Sequence, residues 1–390
     1  MTATVSNQSN LVNVGGEINE TVCTLTTGML FSNDKPHLHS VHGYFPSVVS
    51  LGGDEVFAIY ACAEAFEAVG MRIEMARSRD GGKTWQPEGP LPTCLQSDDP
   101  FTEAGRVSIS PEGELIVVVS RWDRRGRTEE GLANPETLGV CPNQFFLMRS
   151  NDGGQSWDEP SPIKPPLVGP SFELCAPVTF LRDGRWLLST STWRDWDGVL
   201  PNGNRMVAFV SDDRGKTWPR HLDVMHHPDD TVIYWESKVI ELVDGTLLAN
   251  AWAYDEAAEQ DRPIHFATSN DGGQTWTDPQ STGLSGQTMT PIQLDDGKLF
   301  CAYRRTDRPG LWVQIVKINN GRWYNESEKP LWGNQVTTAA ADQSIIDHFH
   351  TLRFGAPSLC RLNDGTVLLA FWGYEDCVSG IRWFKASFIN

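Results

Sequence analysis

The chain has 390 residues, 39% hydrophobic and 21% charged, with a formal net charge of −18. That composition can build a large apolar core and excludes wholesale disorder. So negative a balance also excludes a surface made for nucleic acid or anionic lipid, because phosphate binding needs clustered cations, although a few arginines in a pocket can still hold a small anion.

In chain order, the first strong pattern is FPSVVSLGGDEVFAIYA (45–61), a strand, a tight Asp/Gly turn and a second apolar strand. SRDGGKTW follows from Ser78 to Trp85. The hairpin returns as GRVSISPEGELIVVVSR (105–121), and after Trp122 a polar loop of about 20 residues intervenes, a length at which loops are commonly functional. It could cover a pocket or contact a partner protein. SNDGGQSW then runs from Ser150 to Trp157, and APVTFLRDGRWLLSTST (176–192) is followed by SDDRGKTW from Ser211 to Trp218. SKVIELVDGTLLANAWA (237–253) is followed by SNDGGQTW from Ser269 to Trp276. TPIQLDDGKLFCAYR (290–304) and APSLCRLNDGTVLLAFW (356–372) complete the hairpins, and GIRWFKASFI (380–389) reads as one more strand.

Two repeats therefore run through the chain out of phase, one a hairpin and the other a Ser-x-Asp-x-Gly-x-Thr/Ser-Trp turn. Six hairpins at a spacing of about 50–70 residues, each with a further strand, are the parts of six four-stranded blades. The expected fold is all-β, a six-bladed β-propeller of four-stranded antiparallel blades spanning 1–390 as one domain. In this reading residues 1–30 close the last blade, through the stretch around ETVCTLTTG (20–28). The eight cysteines form no CxxC pairs, and Cys175, Cys301 and Cys360 sit in apolar runs as expected of buried free thiols. No apolar run reaches the ~18–20 residues of a membrane-spanning helix. The opening MTATVSNQSN lacks the basic and apolar stretches of a leader peptide, so the expectation is a cytoplasmic protein, or a secreted one whose leader has been removed, without membrane insertion.

The four turn motifs resemble the Asp boxes of the sialidase superfamily, and the six hairpins resemble that family's blade plan over nearly the whole chain. The resemblance implies that Asp80, Asp152, Asp213 and Asp271 are structural, because the boxes lie on blade rims away from the active site. It also implies a site at the axial end where inner strands start and second strands finish.

The positions reaching that end include the inner-strand residues His42, Tyr44, Arg106, Glu173, Glu236, His350 and Arg353, and the second-strand residues Arg121, Trp252, Arg304 and Tyr374. Converging carboxylates suit acid/base work on a glycosidic bond. Trp and Tyr offer flat faces to sugar rings, and arginines bind carboxylate or sulfate in bidentate fashion.

Set against the family's parts, Glu236 begins the fourth inner strand as the family's Glu does. Arg308 in RPGLWV resembles its third arginine. Glu67, eleven residues before the first Asp box, stands where its acid/base aspartate is expected. The departures are equally informative. The FRIP motif reads Tyr44-Phe45-Pro46, so Tyr44 replaces the first arginine; the second arginine falls at Ala251 or Trp252, and the nucleophilic Tyr near Ala356. These losses argue against an ordinary sialidase.

The leading expectation is a glycoside hydrolase acting on an exposed sugar of an oligosaccharide or glycoconjugate, with Glu67 as proton donor and Glu236 or Glu173 as base. A second is a lyase-type enzyme on a uronate sugar. It is motivated by HLHSVHGY (37–44) and DHFHTLR (347–353), which would bring His42, Tyr44, His348 and His350 together across the ring closure. A third is a carbohydrate-binding propeller without catalysis. No phosphate loop, nucleotide fingerprint or nucleophile elbow occurs, so no organic cofactor is expected, and the histidines lack a diagnostic metal spacing.

Overall fold

Runs such as 56–60 and 115–119 are apolar at every position. A strand of that kind has no solvent face and must be covered on both sides. In the computed structural model, which describes residues 22–93, 99–333 and 352–388, a ring of six antiparallel blades provides that cover. Five sheets have four strands and one has five. The chain is an all-β, six-bladed propeller, and no helix among the described residues is long and apolar enough to cross a membrane.

The inner strands of blades one to six are His42–Gly52, Phe101–Ile109, Thr179–Phe180, Val232–Glu241, Gly286–Gln293 and Phe354–Arg361. Each pairs with a second strand, in order Glu55–Ala63, Leu115–Asp123, Trp186–Ser191, Leu247–Asp255, Leu299–Arg305 and Val367–Glu375. The N-terminal strand Val22–Phe31 is hydrogen-bonded to Val378–Phe388 and forms the outer edge of blade six.

Alternation along each strand divides its side chains between two neighbours. Val56, Ala58 and Tyr60 pack towards blade six with Leu368, Ala370 and Trp383. Phe57 and Ile59, on the other face, pack towards blade two with Val117, Val119 and Phe146. Blade two turns Ile116 and Val118 towards blade three, and three further clusters fill the remaining clefts between blades. At about 1.5–3 kcal/mol for each fully buried Val, Leu, Ile or Phe, these six clefts are the main stabilising element of the ring.

Each Asp box is a local hydrogen-bond knot. Ser78 Oγ donates to Asp80 Oδ1 at 2.8 Å, the Gly82 amide donates to Ser78 Oγ at 2.9 Å, and Thr84 Oγ1 donates to Asp80 Oδ2 at 2.6 Å. The knot recurs at Asp152, Asp213 and Asp271. Hydroxyl and amide donors around these carboxylates hold Asp152 and Asp271 at about 2. Gly82 has φ +87°, and a Cβ there would lie 2.8 Å from Leu368 Cδ1, so only glycine lets this turn sit against blade six. In an antiparallel blade the first-to-second and third-to-fourth turns share one edge. The Asp boxes therefore mark one face of the ring, and the opposite face is formed by the longer loops.

Candidate functional site

Four inner strands break their ladders at equivalent positions. The register skips one residue between Tyr44 and Ser47, Trp235 and Lys238, Gln287 and Thr290, and Gly355 and Ser358. Each bulge carries a non-glycine residue in the left-handed region: Phe45 at φ 49°, Glu236 at 53°, Thr288 at 57° and Ala356 at 47°. Such a conformation costs about 1–3 kcal/mol and re-aims the side chain, a device concentrated at functional sites.

At Glu236 the strained backbone is held from both sides. Its N–H donates to Glu173 Oε2 at 2.7 Å, and its carbonyl accepts from Lys238 Nζ at 3.1 Å. Glu236 Oε2 is buried and meets no hydrogen-bond partner among the described residues. Glu173 comes from an irregular stretch before the two-residue inner strand of blade three, anchored by its N–H to Ser191 O. It is 7% exposed. Burial first, and the neighbouring Glu236 charge second, push its carboxyl up to about 7.

Three buried cations surround this pair. Arg106 donates from Nε to Cys175 O at 3.3 Å and from Nη1 to Gly105 O at 2.9 Å and Phe45 O at 3.5 Å. Lys238 shares the same electrostatic neighbourhood of Cys175, Glu236, Arg106 and Glu173, and burial lowers its pKa. Arg304 donates from Nε and Nη2 to Gln287 Oε1 at 2.9 and 2.6 Å, and from Nη1 to Phe354 O at 2.9 Å. A Cβ on Gly355 would lie 2.5 Å from Arg304 Nη1, so a bare backbone is needed there. Gln287 Nε2 continues to Asp261 Oδ2 at 2.9 Å, and Trp252 Nε1 donates to Asp261 Oδ1 at 2.6 Å. Burial raises the Asp261 pKa.

An aromatic group lies on the loop side of blades one and six. The hydroxyls of Tyr44 and Tyr374 are 2.8 Å apart, and His42 stacks on Tyr44 at 6.2 Å between ring centroids. The Ser379 amide donates to His42 Nδ1 at 3.0 Å, leaving Nε2 to carry the proton of the neutral ring. The Arg353 guanidinium lies 5.5 Å from the Tyr374 ring centroid. Burial raises the Tyr44 pKa and lowers that of His42.

The structure thus brings Glu173, Glu236, Arg106 and Arg304 together and gathers His42, Tyr44, Tyr374 and Arg353 nearby. Other expected residues have different surroundings. Glu67 meets the long loop of blade two: its Oε2 accepts the Leu132 N–H at 2.9 Å, and its backbone carbonyl accepts from Arg124 Nη1 at 2.7 Å. That loop reaches blade three as well, where Thr137 Oγ1 and Asn134 Nδ2 both donate to Trp196 O at 2.9 Å. It is a strap from blade one to blade three, and Glu67 is its anchor.

Arg121 is committed to buried Glu103 through Nε at 2.6 Å. Arg308 is turned outward, paired with Glu328 of the outer strand Arg322–Trp332 at 3.0 Å, because its loop folds against Trp312 and away from the axis. His350 and His348 lie outside the described residues. Lys238, Asp261 and Gln287 were missed by sequence reasoning. A lysine inside the apolar run of an inner strand was the available signal for Lys238, whereas nothing local singles out Asp261. Among the described residues no three His, Cys, Asp or Glu side chains are grouped so as to hold a metal.

An axial cavity of about 340 Å³ begins at Arg106, Glu236 and Lys238 and descends to Ser50, Ile109 and Arg361, which adjoin the inner hairpin turns. It therefore opens on the Asp-box face, opposite the strap.

The profile of the BNR repeat-like domain matches residues 110–367, and that of the BNR/Asp-box repeat matches 76–87. A sialidase of Micromonospora viridifaciens is 22% identical over 294 residues, which is 68% of this chain and 42% of that longer protein. A crystal structure of a protein of unknown function from Dyadobacter fermentans superposes with a TM-score of 0.71 at 21% identity, covering 93% of this chain and 98% of that one. The intramolecular trans-sialidase from Ruminococcus gnavus gives 0.60 at 14% identity, covering 90% and 94%. At these identities the structural likeness establishes the fold.

Proposed function

Because the chain belongs to the family of BNR repeat-like domains and has the sialidase-like propeller fold, we propose that it is a glycoside hydrolase with Glu173 and Glu236 as its catalytic carboxylates. The observation that carries this reading is their contact at the axis, with Glu173 pushed up to about 7 beside a second carboxyl group. Two carboxyl groups whose environments differ in this way divide the labour of glycosidic cleavage.

In this mechanism Glu173 keeps its proton near neutral pH and delivers it to the departing glycosidic oxygen. Glu236 acts on the anomeric carbon, either directly or through water. The double anchor on its backbone, from Glu173 and Lys238, holds the carboxylate before the substrate arrives, so little reorganisation is left for the transition state. Glu67 is a positioning residue in this scheme, since its carboxylate supports the strap. An ordinary sialidase is not the proposal: Tyr44 stands where the family's first arginine is expected, and Arg308 faces outward.

The test is a screen of the purified chain against aryl glycosides and uronate oligosaccharides, with Glu236→Gln as control. Release of a sugar that the variant abolishes supports the assignment, and the anomeric configuration of the first product, read by proton NMR, assigns Glu236 as nucleophile or as base. Turnover that survives Glu236→Gln overturns it.

The hydrogen-bonded Tyr44 and Tyr374 hydroxyls beside His42 favour a second reading, β-elimination from a uronate. The raised pKa of Tyr44 keeps its hydroxyl protonated to supply the leaving oxygen, while water takes the proton α to the carboxylate, since neutral His42 has no free lone pair. An unsaturated product, detected by its ultraviolet absorbance in the same screen, would select this reading over hydrolysis.

A further inference from the structure

The inner end of the cavity on the Asp-box face is lined by two buried cations, Arg106 and Lys238. Arg106 and Lys238 are each 8% exposed. The backbone-directed bonds of Arg106 use Nε and Nη1, and its side chain also meets that of Cys175. Lys238 has three N–H donors and, among the described residues, uses one, on Glu236 O. Two buried cations, one of them a lysine with N–H donors to spare among the described residues, thus adjoin a cavity of about 340 Å³. A buried donor without an acceptor costs free energy, more when it is charged. An oxyanion satisfies several such donors at once through short, charge-assisted bonds.

We propose that this cavity binds a small oxyanion, a carboxylate or a phosphate, between Arg106 and Lys238. The groups facing the same end are Glu173, Glu236 and the Cys175 thiol. Below about pH 7, where Glu173 keeps its proton, the negative charge set against the two cations is reduced. The size also fits, since one water occupies about 30 Å³ of liquid and the cavity therefore holds an oxyanion together with several waters. Entry is from the Asp-box face, past Ser50 and Ile109. The site rests on this cavity and its donors, and stands whether or not the chain hydrolyses a sugar.

Calorimetric titration of the full chain with phosphate, acetate and chloride at matched ionic strength near pH 6 tests it, with thermal unfolding followed in parallel. Saturable binding of phosphate or acetate and a saturable rise in Tm are expected, because a ligand that binds only the native state stabilises it by mass action. Phosphate without acetate identifies a phosphate site, and acetate without phosphate a carboxylate site. Lys238→Met should weaken Kd by at least about tenfold, as expected for losing a charge-assisted partner, while Lys238→Arg retains binding. Ser50→Trp, at the opening, should block binding without touching the donors. Absence of saturable oxyanion binding by the wild type overturns the proposal. So does an unchanged Kd in folded Lys238→Met, or, should that variant not fold, in Ser50→Trp.

Discussion

Replacing Glu173 by Gln tests the electrostatics of the axis without knowledge of the substrate. In the native protein the carboxyl titrates at about 7 instead of 4.5. At ~1.4 kcal/mol for each tenfold change, that difference makes the folded chain disfavour the carboxylate by about 3 kcal/mol. The native state therefore holds this proton between about pH 4.5 and 7 while the unfolded chain releases it. The associated stability is fully present below about 4.5 and is lost as pH rises through 7. Gln has no proton to lose, and its side-chain oxygen can still accept the Glu236 N–H. Urea unfolding at pH 4.5 and at pH 8 measures the effect. The wild type should lose about 3 kcal/mol more than Glu173→Gln across that interval, and a smaller Glu236→Gln effect in the same direction would report the share due to the neighbouring charge. Superimposable pH profiles of wild type and Glu173→Gln would refute the reasoning.

Glu67→Gln keeps an acceptor for the Leu132 N–H and should retain turnover, whereas Glu67→Ala should loosen the strap and speed tryptic cleavage at Arg125 or Arg127; abolished turnover in Glu67→Gln would instead make Glu67 the proton donor. Gly355→Ala drives a Cβ into Arg304 and should lower the urea-unfolding free energy by about 1–3 kcal/mol, the usual effect of overpacking; an unchanged midpoint would show that Arg304 yields freely. Arg308→Ala should leave kcat/KM unchanged in any active assay, since its partner is Glu328 on the outer strand. Donors around Asp152 and Asp271 depress their pKa values to about 2, so their contribution is present above about pH 4 and lost as pH falls through 2. Asp271→Asn should flatten that acid limb when circular dichroism is followed against pH.

The parts of the fold legible from sequence are those whose bonds are local. An Asp box closes between residues two to four apart, as between Ser78, Asp80, Gly82 and Thr84, so its letters alone specify its geometry. A hairpin such as 45–61 needs only its turn and two apolar strands, and continuous apolar runs announce that both faces are covered. Six such hairpins imply the ring, because a blade apolar on both faces has to be flanked by others.

Which side chains meet at the axis was decided by tertiary structure. Glu173 and Glu236 stand on adjacent blades and touch only because the bulge at Glu236 turns its N–H towards Glu173. A skipped ladder residue of this kind leaves no reliable mark in sequence, since Phe45, Thr288 and Ala356 adopt the same conformation with unrelated side chains. Glu67 and Arg308 show the same limit from the other side. Both belong to loops at the expected end of their blades, but whether a loop residue faces the axis, the strap or the rim depends on partners far away in sequence, here Leu132 and Glu328. The sequence by itself therefore determined the blades, their number and their knotted turns, which short-range hydrogen bonding and alternation encode. The assembled ring alone decided which carboxyl group is buried beside another, and so which one keeps its proton, because burial and neighbouring charge arise only when blades distant in sequence are packed together.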